Sequence, residues 1–412
     1  VATATGPGDT PPPRECDVAI VGGGILGMAV ARELLARRPG VRLCVLEAEE
    51  AIGRHQTGRS SGVIHAGIYY EPSSLKARLC VEGARDLYAY CDERGIPFTR
   101  SGKLVVAVDE NELPRLDELE RRGQANGVPG LRRLGGDEIA AVEPAAVGVA
   151  ALHSPATGVV DFVAVAESYA ADVRAAGGTV HLGARVGGAA PQPRGIAIGH
   201  GRGTTLAAEA VFCAGLWSDR LAVACGAPAD PRIVPFRGAY LRLRPAEADL
   251  VRANVYPVPD PDLPFLGAHL TRTFGGEVLV GPSALLSPAR DAYRLATLRP
   301  RDLAQTLAWP GTWRMAARHR RAAGRELRHA ISRRAFVAEA ARMVPALRGA
   351  RADAGPAGIR AQALRRDGTL EDDFVVHRTE RAIHVRNAPS PAATSSLALA
   401  RLIADELSAA AA

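Results

Sequence analysis

A glycine turn between a strand and a helix limits what this chain can fold into more than any other feature. Asp17-Val18-Ala19-Ile20-Val21 is a short, mostly apolar run. Gly22-x-Gly24-x-x-Gly27 follows, then an amphipathic pattern over 25–38 that ends at Pro39-Gly40. A second apolar run, 41–46, closes on Glu47, 20 residues past Gly27. Strand, turn, helix and strand in that order form a βαβ unit opening a parallel sheet. In such a unit Gly22 permits the tight turn, Gly24 lets the backbone approach a pyrophosphate, and Gly27 lets the helix pack on the strand. Ile25 and Leu26 start the helix, whose free N–H groups and partial positive charge face the phosphates. Glu47 is placed to accept hydrogen bonds from an adenosine ribose diol. A ligand-free glycine turn would account for neither the second strand nor the spaced acid.

The motif alone does not separate FAD from a nicotinamide dinucleotide. The segment 54–67 does: it is rich in Ser and Gly and offers Thr57, Ser60, Ser61 and Gly62 to the phosphates and ribityl chain of a longer cofactor. A late apolar strand, 210–214, leads into Ala214-Gly215, a second close backbone approach to a dinucleotide. Val186 is counted with these contacts. The reading is FAD.

The remaining pattern gives helices over 75–94, 110–127 and 162–176, strands over 103–108 and 179–182, and a mostly helical stretch over 302–347. From 234 to 280 short strands are broken by Pro and Gly, as in a mixed or antiparallel sheet. A strand from 383, a Pro-Ser-Pro turn and a helix over 393–408 end the chain. Parallel-sheet pieces therefore recur near the start, middle and end. The fold class is α/β: a discontinuous Rossmann-like FAD-binding domain (15–95, 150–230, 345–412) and a mixed or antiparallel-sheet substrate domain with helical insertions (96–149, 231–344). Residues 1–14, small, polar and Pro-rich, read as a disordered leader without the order of a signal peptide.

The formal charge of +7 raises the question of nucleic acid. The basic residues are mostly Arg spread through an Ala-rich chain, only 5% of residues are aromatic, and the two are not interleaved as in single-strand binders. No nucleic-acid partner is expected. The six cysteines form no CxxC pair, so no metal site is expected and a reducing cytoplasm fits. No apolar run approaches the ~20 residues of a membrane span. The stretch 314–334 holds eight arginines and one Glu, which allows peripheral contact at the inner face of a membrane or a solvated helix face.

Longer motifs carry a family resemblance. SSGVIHAGIYY (60–70), SLKARLCVEGAR (74–85), VPFRG (234–238), NVYPVPDP (254–261), PFLGAH (264–269), GPAGIRAQAL (355–364) and HVRNAPSPAATSSLA (384–398) closely resemble the L-2-hydroxyglutarate dehydrogenase/oxidase family. The likeness spans about 16–407. It implies bound FAD, a D-amino-acid-oxidase-like fold, and oxidation of an L-2-hydroxy acid to the 2-oxo acid. That chemistry needs a base for the hydroxyl proton and cations for carboxylates. His269 and His65 are the candidate bases, with His269 favoured because substrate-domain strands roof the flavin in this fold. Arg360 and Arg386 are the candidate carboxylate clamps. Tyr256 and Tyr70 read as core packing or as hydrogen-bond partners of substrate, and Lys76 reads as a helix-surface lysine or cationic support. The turn holding Pro391, Ala392, Thr394 and Ser395 offers N–H groups to the flavin's pyrimidine edge. His65 and Cys80 leave covalent attachment of the flavin open. The electron acceptor is oxygen or a quinone. The sequence departs from the family at Ala239, where an acid is usual, and at Ser283, where Asn is usual. Three readings stay open: the family reaction, the same fold acting on another secondary alcohol or an amine, and a flavin-binding protein without turnover.

Overall fold

The computed structural model describes residues 10–261, 265–294 and 296–408 of the 412. The parallel core of one sheet runs in the order Ala382–Asn387, Gly203–Phe212, Glu15–Val21, Leu43–Leu46, Thr179–His181. These strands are near-continuous apolar runs because both faces are covered. Val18, Ile20, Leu43 and Val45 share a core with helices Ile25–Arg37, Phe162–Ala175 and Ser396–Ser408. Ala19, Val21, Cys44 and Leu46 face the other way, toward the antiparallel strands Val186–Gln192 and Gly195–His200. Helix Leu75–Arg94 begins where Ser74 Oγ accepts the N–H of Ala77 at 3.1 Å, the capping contact that a first turn needs.

A second, mostly antiparallel sheet roofs the first. Its order is Leu285–Leu286, Arg232–Leu243, Val278–Gly281, His269–Arg272, Asn254–Pro257, Lys103–Ala107, Ala150–Ser154, Arg132–Gly135. Ala352–Leu364 pairs along Arg232–Leu243 from Arg232 opposite Leu364 to Leu243 opposite Ala352. Among the described residues its one parallel junction sets Asn254–Pro257 beside Lys103–Ala107. Leu104, Val106, Val255, Leu270 and Val280 pack with Phe336, Val337 and Ala340 of helix Arg333–Ala340.

Several expectations need correction. Segments 150–154 and 352–364, expected in the FAD-binding part, belong to the roofing sheet, because their backbone partners are Lys103–Ala107 and Arg232–Leu243. Residues 10–14 of the expected leader pack on the first sheet. The carbonyl of Thr10 accepts from His181 Nδ1 at 3.0 Å, that of Pro13 from Thr205 Oγ1 at 2.7 Å, and that of Arg14 from the N–H of Leu206 at 2.8 Å. Residues 1–9 of the leader, and residue 264 of the PFLGAH motif, lie outside the described residues. The helical stretch after 300 is four short helices, Pro300–Leu307, Pro310–Arg318, Arg320–Ile331 and Arg333–Ala340. Pro310 starts one, and Ser332, whose Oγ accepts from the N–H of Ala335 at 3.2 Å, caps another.

Candidate active site

A cavity of about 1200 Å³ runs between the two sheets, from the glycine turn to the roofing strands. Sites for single drug-sized ligands span ~300–1,000 Å³, so there is room for a dinucleotide and a small substrate together.

At the first end the three glycines have different jobs. A Cβ on Gly22, whose φ is +114°, would sit 2.4 Å from the carbonyl oxygen of Cys213, and one on Gly27 would sit 1.9 Å from that of Gly22. Both are required by the crossing of strand, helix and the second glycine turn. A Cβ on Gly24 would meet only Thr57 Oγ1, at 3.4 Å, with open cavity beyond. That open space fits the close approach of a pyrophosphate. Thr57 Oγ1 accepts the N–H of Ile25 at 3.1 Å at the head of the helix. Glu47 takes the N–H of Gly23 on one oxygen and that of Glu49, at 2.8 Å, on the other. Each oxygen keeps a lone pair for a ribose hydroxyl. Leu26, Ser60, Ser61, Val186, Ala214 and Gly215 also line this cavity.

The other end is built by the roofing sheet. His269 begins strand His269–Arg272 and donates from Nδ1 to the carbonyl of Gly267 at 2.9 Å. A carbonyl only accepts, so this contact fixes the tautomer and leaves Nε2 as a lone pair. Burial, with help from Lys103 and Arg360, drives the His269 pKa down to about 3, so the ring is neutral. Tyr256 stacks on it, 4.0 Å between centroids, and is itself bonded to Thr271 Oγ1 at 3.3 Å. His65 faces the same space. Its Nε2 is 3.1 Å from Ser390 Oγ, and burial holds its pKa well below the usual value. Arg360, on Ala352–Leu364, lines the cavity with its guanidinium over Phe265 and has no ion-pair partner among the described residues.

Residues 17–406 match the family described as DAO, FAD dependent oxidoreductase. The chain belongs to the FAD-dependent oxidoreductase family. Among its relatives it is 44% identical to the mitochondrial L-2-hydroxyglutarate dehydrogenase of Nematostella vectensis, over 96% of this chain and 91% of that one. It is 44% identical to the mitochondrial enzyme of the same name from Homo sapiens, over 95% and 88%, and 42% identical to the L-2-hydroxyglutarate dehydrogenase of Indibacter alkaliphilus, over 93% and 96%. The fold is shared with the dithionite-reduced, FAD-bound L-alpha-glycerophosphate oxidase of Mycoplasma pneumoniae (TM-score 0.75, 23% identity, 96% of this chain and 95% of that one). It is also shared with glycine oxidase of Geobacillus kaustophilus (TM-score 0.71, 20% identity, 96% and 95%).

In this FAD-dependent oxidoreductase some expected site residues lie off the cavity or are committed to other partners. Arg386 does line the cavity, but its two terminal nitrogens are turned to the carbonyls of Asp230, at 3.2 Å, and Pro231, so it does not present a free fork to a carboxylate. Gly62, at φ +76°, is required by the pairing with Gly158–Val160: a Cβ there would lie 2.7 Å from the carbonyl of Val160. Ser395 is buried behind the turn, against Gly83 of helix Leu75–Arg94. The turn itself consumes N–H groups expected to be free: those of Ala392, Ser395 and Ser396 bond the carbonyls of Pro389, Pro391 and Ala393. Pro391, Ala392 and Thr394 do line the cavity. Thr394 Oγ1 ties the turn to the cofactor-wrapping segment by accepting the N–H of His65 at 3.1 Å. The Cys80 thiol donates to the carbonyl of His65 at 3.3 Å and is pushed up to about 12 by burial, which makes it a poor nucleophile for flavin attachment. Lys76 is buried rather than on the helix surface and pairs with Asp372 at 2.8 Å.

Sequence reasoning missed Tyr69, Tyr240 and Lys103. Tyr240 lines the cavity and is bonded to Ser61, and Tyr69 lines it beside Tyr70. Lys103 is 1% exposed, with Nζ 4.1 Å from the Tyr256 ring and 5.1 Å from that of Tyr69. A signal existed for it: the chain has only two lysines, Lys76 and Lys103, among 51 basic residues. Both are at this end of the cavity.

Proposed function

We propose that this flavoenzyme oxidises L-2-hydroxyglutarate to the corresponding 2-oxo acid. The observation that carries the reading is a neutral His269 with its Nε2 lone pair free, beside a half-buried Arg360 that forms no ion pair among the described residues and feels Glu326 only at longer range. Partial burial without an ion pair costs such a cation hydration, and a substrate carboxylate offsets that cost. Arg360 binds a carboxylate bidentately. The Gly267 carbonyl and the Tyr256 ring hold the imidazole in plane while Nε2 takes the hydroxyl proton. Bound FAD supplies the hydride acceptor. The relatives named L-2-hydroxyglutarate dehydrogenase point to the same substrate.

The two departures from the family pattern lie off the cavity lining. Gly238 and Tyr240 line the cavity, whereas Ala239 between them does not, as strand alternation requires. Ser283 exchanges hydrogen bonds with the Ala239 backbone, accepting at 3.2 Å through Oγ and donating at 2.9 Å from its N–H. The test is anaerobic bleaching of the protein-bound flavin by L-2-hydroxyglutarate, beside its D enantiomer, other hydroxy acids and amino acids. Bleaching by the L form alone is expected. A yellow, intact protein bleached instead by an amino acid or a monocarboxylate overturns the reading.

A second part of the reading concerns the acceptor. Helices Pro310–Arg318 and Arg320–Ile331 expose Trp313, Leu327 and Ile331 among their arginines, and Arg318 and His319 border the cavity. Apolar and indole side chains set in a basic helix face suit the surface of an anionic bilayer. We therefore assign peripheral membrane contact through this face, with a lipid-borne quinone receiving the electrons. Among the described residues no helix is long and apolar enough to cross a membrane.

A further inference from the structure

We propose that Lys103 is a proton-coupled counter-charge for the substrate: buried behind Tyr69 and Tyr256 with no carboxylate partner, it takes a proton from solvent when a dicarboxylate enters the cavity. This rests on the dicarboxylate reading above and extends it from one cation to two.

Lys103 opens strand Lys103–Ala107 in the middle of the roofing sheet, between Asn254 on one side and Ser154 on the other. It does not line the cavity itself. Tyr69 and Tyr256 do, and the Lys103 ammonium lies against both rings. The contact to the ring faces is a weak cation–π attraction, too small to replace hydration or an ion pair. No carboxylate pairs with Lys103 among the described residues. Burial accordingly depresses its pKa from 10.5 to about 7.

The groups facing it come from every neighbouring element. His65 follows strand Val63–Ile64, with Tyr69 just after it. Cys80 is on helix Leu75–Arg94, Tyr256 on Asn254–Pro257 and His269 on His269–Arg272. Burial holds His269 near 3 and His65 well below its usual range, raises Cys80 to about 12, and pushes both tyrosines up. Arg360, beyond His269, keeps its charge at any working pH. Lys103 is therefore the one group of this set that changes charge near neutrality. A dianion on the far side of the two tyrosine rings, in a site that excludes water, favours the protonated lysine, so binding raises its pKa and draws in a proton wherever the free site is deprotonated.

The choice of residue type agrees. With 51 basic residues of which two are lysine, this chain uses arginine almost everywhere. An arginine cannot release its proton in a protein, whereas a buried lysine can. A lysine at 103 gives a cation that is present with substrate and absent without it, which spares the empty site a second cation.

Calorimetry of the oxidised, FAD-loaded protein with 2-oxoglutarate, in buffers of differing ionisation enthalpy, reads the proton directly. Near pH ~8 the wild type should take up about one proton per ligand bound, and near pH ~6 almost none, because the lysine is already charged. Lys103→Arg should bind with similar affinity and take up none. Lys103→Met should take up none and bind about tenfold more weakly or worse. Equal uptake in wild type and Lys103→Arg, or tight binding by wild type with no uptake at pH ~8, overturns the lysine assignment alone. Failure of 2-oxoglutarate to bind, together with a flavin that L-2-hydroxyglutarate does not bleach, overturns the substrate reading and this inference with it.

Discussion

Two histidines face one cavity, and their hydrogen bonds separate them. His269 Nδ1 is committed to a carbonyl, so Nε2 must accept, whereas His65 meets a hydroxyl that can donate or accept. His269→Ala should therefore slow flavin reduction by ~100-fold or more, the usual scale for a positioned base. Stopped-flow reduction at saturating substrate checks this, and a near-normal rate removes His269 from the role. Arg360→Ala should act on affinity, weakening 2-oxoglutarate binding ~10-fold or more through loss of a charge-assisted bidentate contact. Lys103 makes a prediction about stability as well. Its folded pKa of about 7 lies below the ordinary 10.5, so between those values the unfolded chain holds a proton that the folded chain has lost. Stability then rises with pH across that window, and the full cost of burying the ammonium is felt below pH ~7. Lys103→Met should raise the melting temperature of the ligand-free protein at pH ~6.5, with the gain shrinking toward pH ~10. A lower melting temperature at pH ~6.5 would contradict this. His269 and Arg360 were legible because they sit in long family motifs. Lys103 was not: a lone lysine opening an apolar strand carries no motif, and its burial comes from Tyr256, far along the chain.

At the scale of elements, local signals were most legible where one stretch of sequence decides its own conformation. Helix Leu75–Arg94 has the predicted bounds, and the turn after Val21 has the predicted place. Ends set by tertiary contacts were less legible. The last helix starts at Ser396 rather than 393, because residues 389–395 first close an irregular turn against the His65 segment. The hairpin Val186–Gln192 with Gly195–His200 went unread, its glycines and short side chains leaving little alternation to see. The glycine turn allows a sharper test than its sequence does. Gly27→Ala drives a methyl into the Gly22 carbonyl, a backbone atom that cannot move aside, and should cost the fold. Gly24→Ala meets only Thr57 Oγ1 and should leave the apoprotein folded while lowering FAD affinity ~10-fold or more, since the methyl occupies the cofactor's approach. Circular dichroism with FAD titration separates the two. Equal loss of fold in both would mean that Gly24 serves packing and not the cofactor.

The two-part plan of the whole molecule was legible in the recurrence of parallel-sheet strands, but the interleaving was not. Strand pairing between residues more than 100 apart, such as Phe236 with Arg360, leaves no mark in either stretch alone. That pairing sets Arg360 in the roof, lining the cavity that Arg318 and His319 of the arginine-rich stretch also line. Those helices carry the last prediction. Ile331 is 78% exposed, Trp313 61% and Leu327 55%, a set of large apolar side chains that a soluble face does not require. The same stretch exposes Arg314, Arg320, Arg321, Arg328 and Arg333, of which Arg314 is tied to the carbonyl of Arg366. Attraction to an anionic bilayer scales with the basic residues near the surface and falls with salt, while insertion of the apolar side chains resists salt. The full-length protein should therefore float with vesicles containing phosphatidylserine and not with purely zwitterionic ones, and elute only partly in high salt. Leu327→Glu with Ile331→Glu should abolish flotation, leave anaerobic bleaching by substrate unchanged, and slow reoxidation by a vesicle-borne quinone. Both substitutions lie on exposed positions, so folding is not at stake. If the double variant floats as well as wild type, the basic face is a solvated one. The electrons then leave by a carrier that reaches the flavin from water.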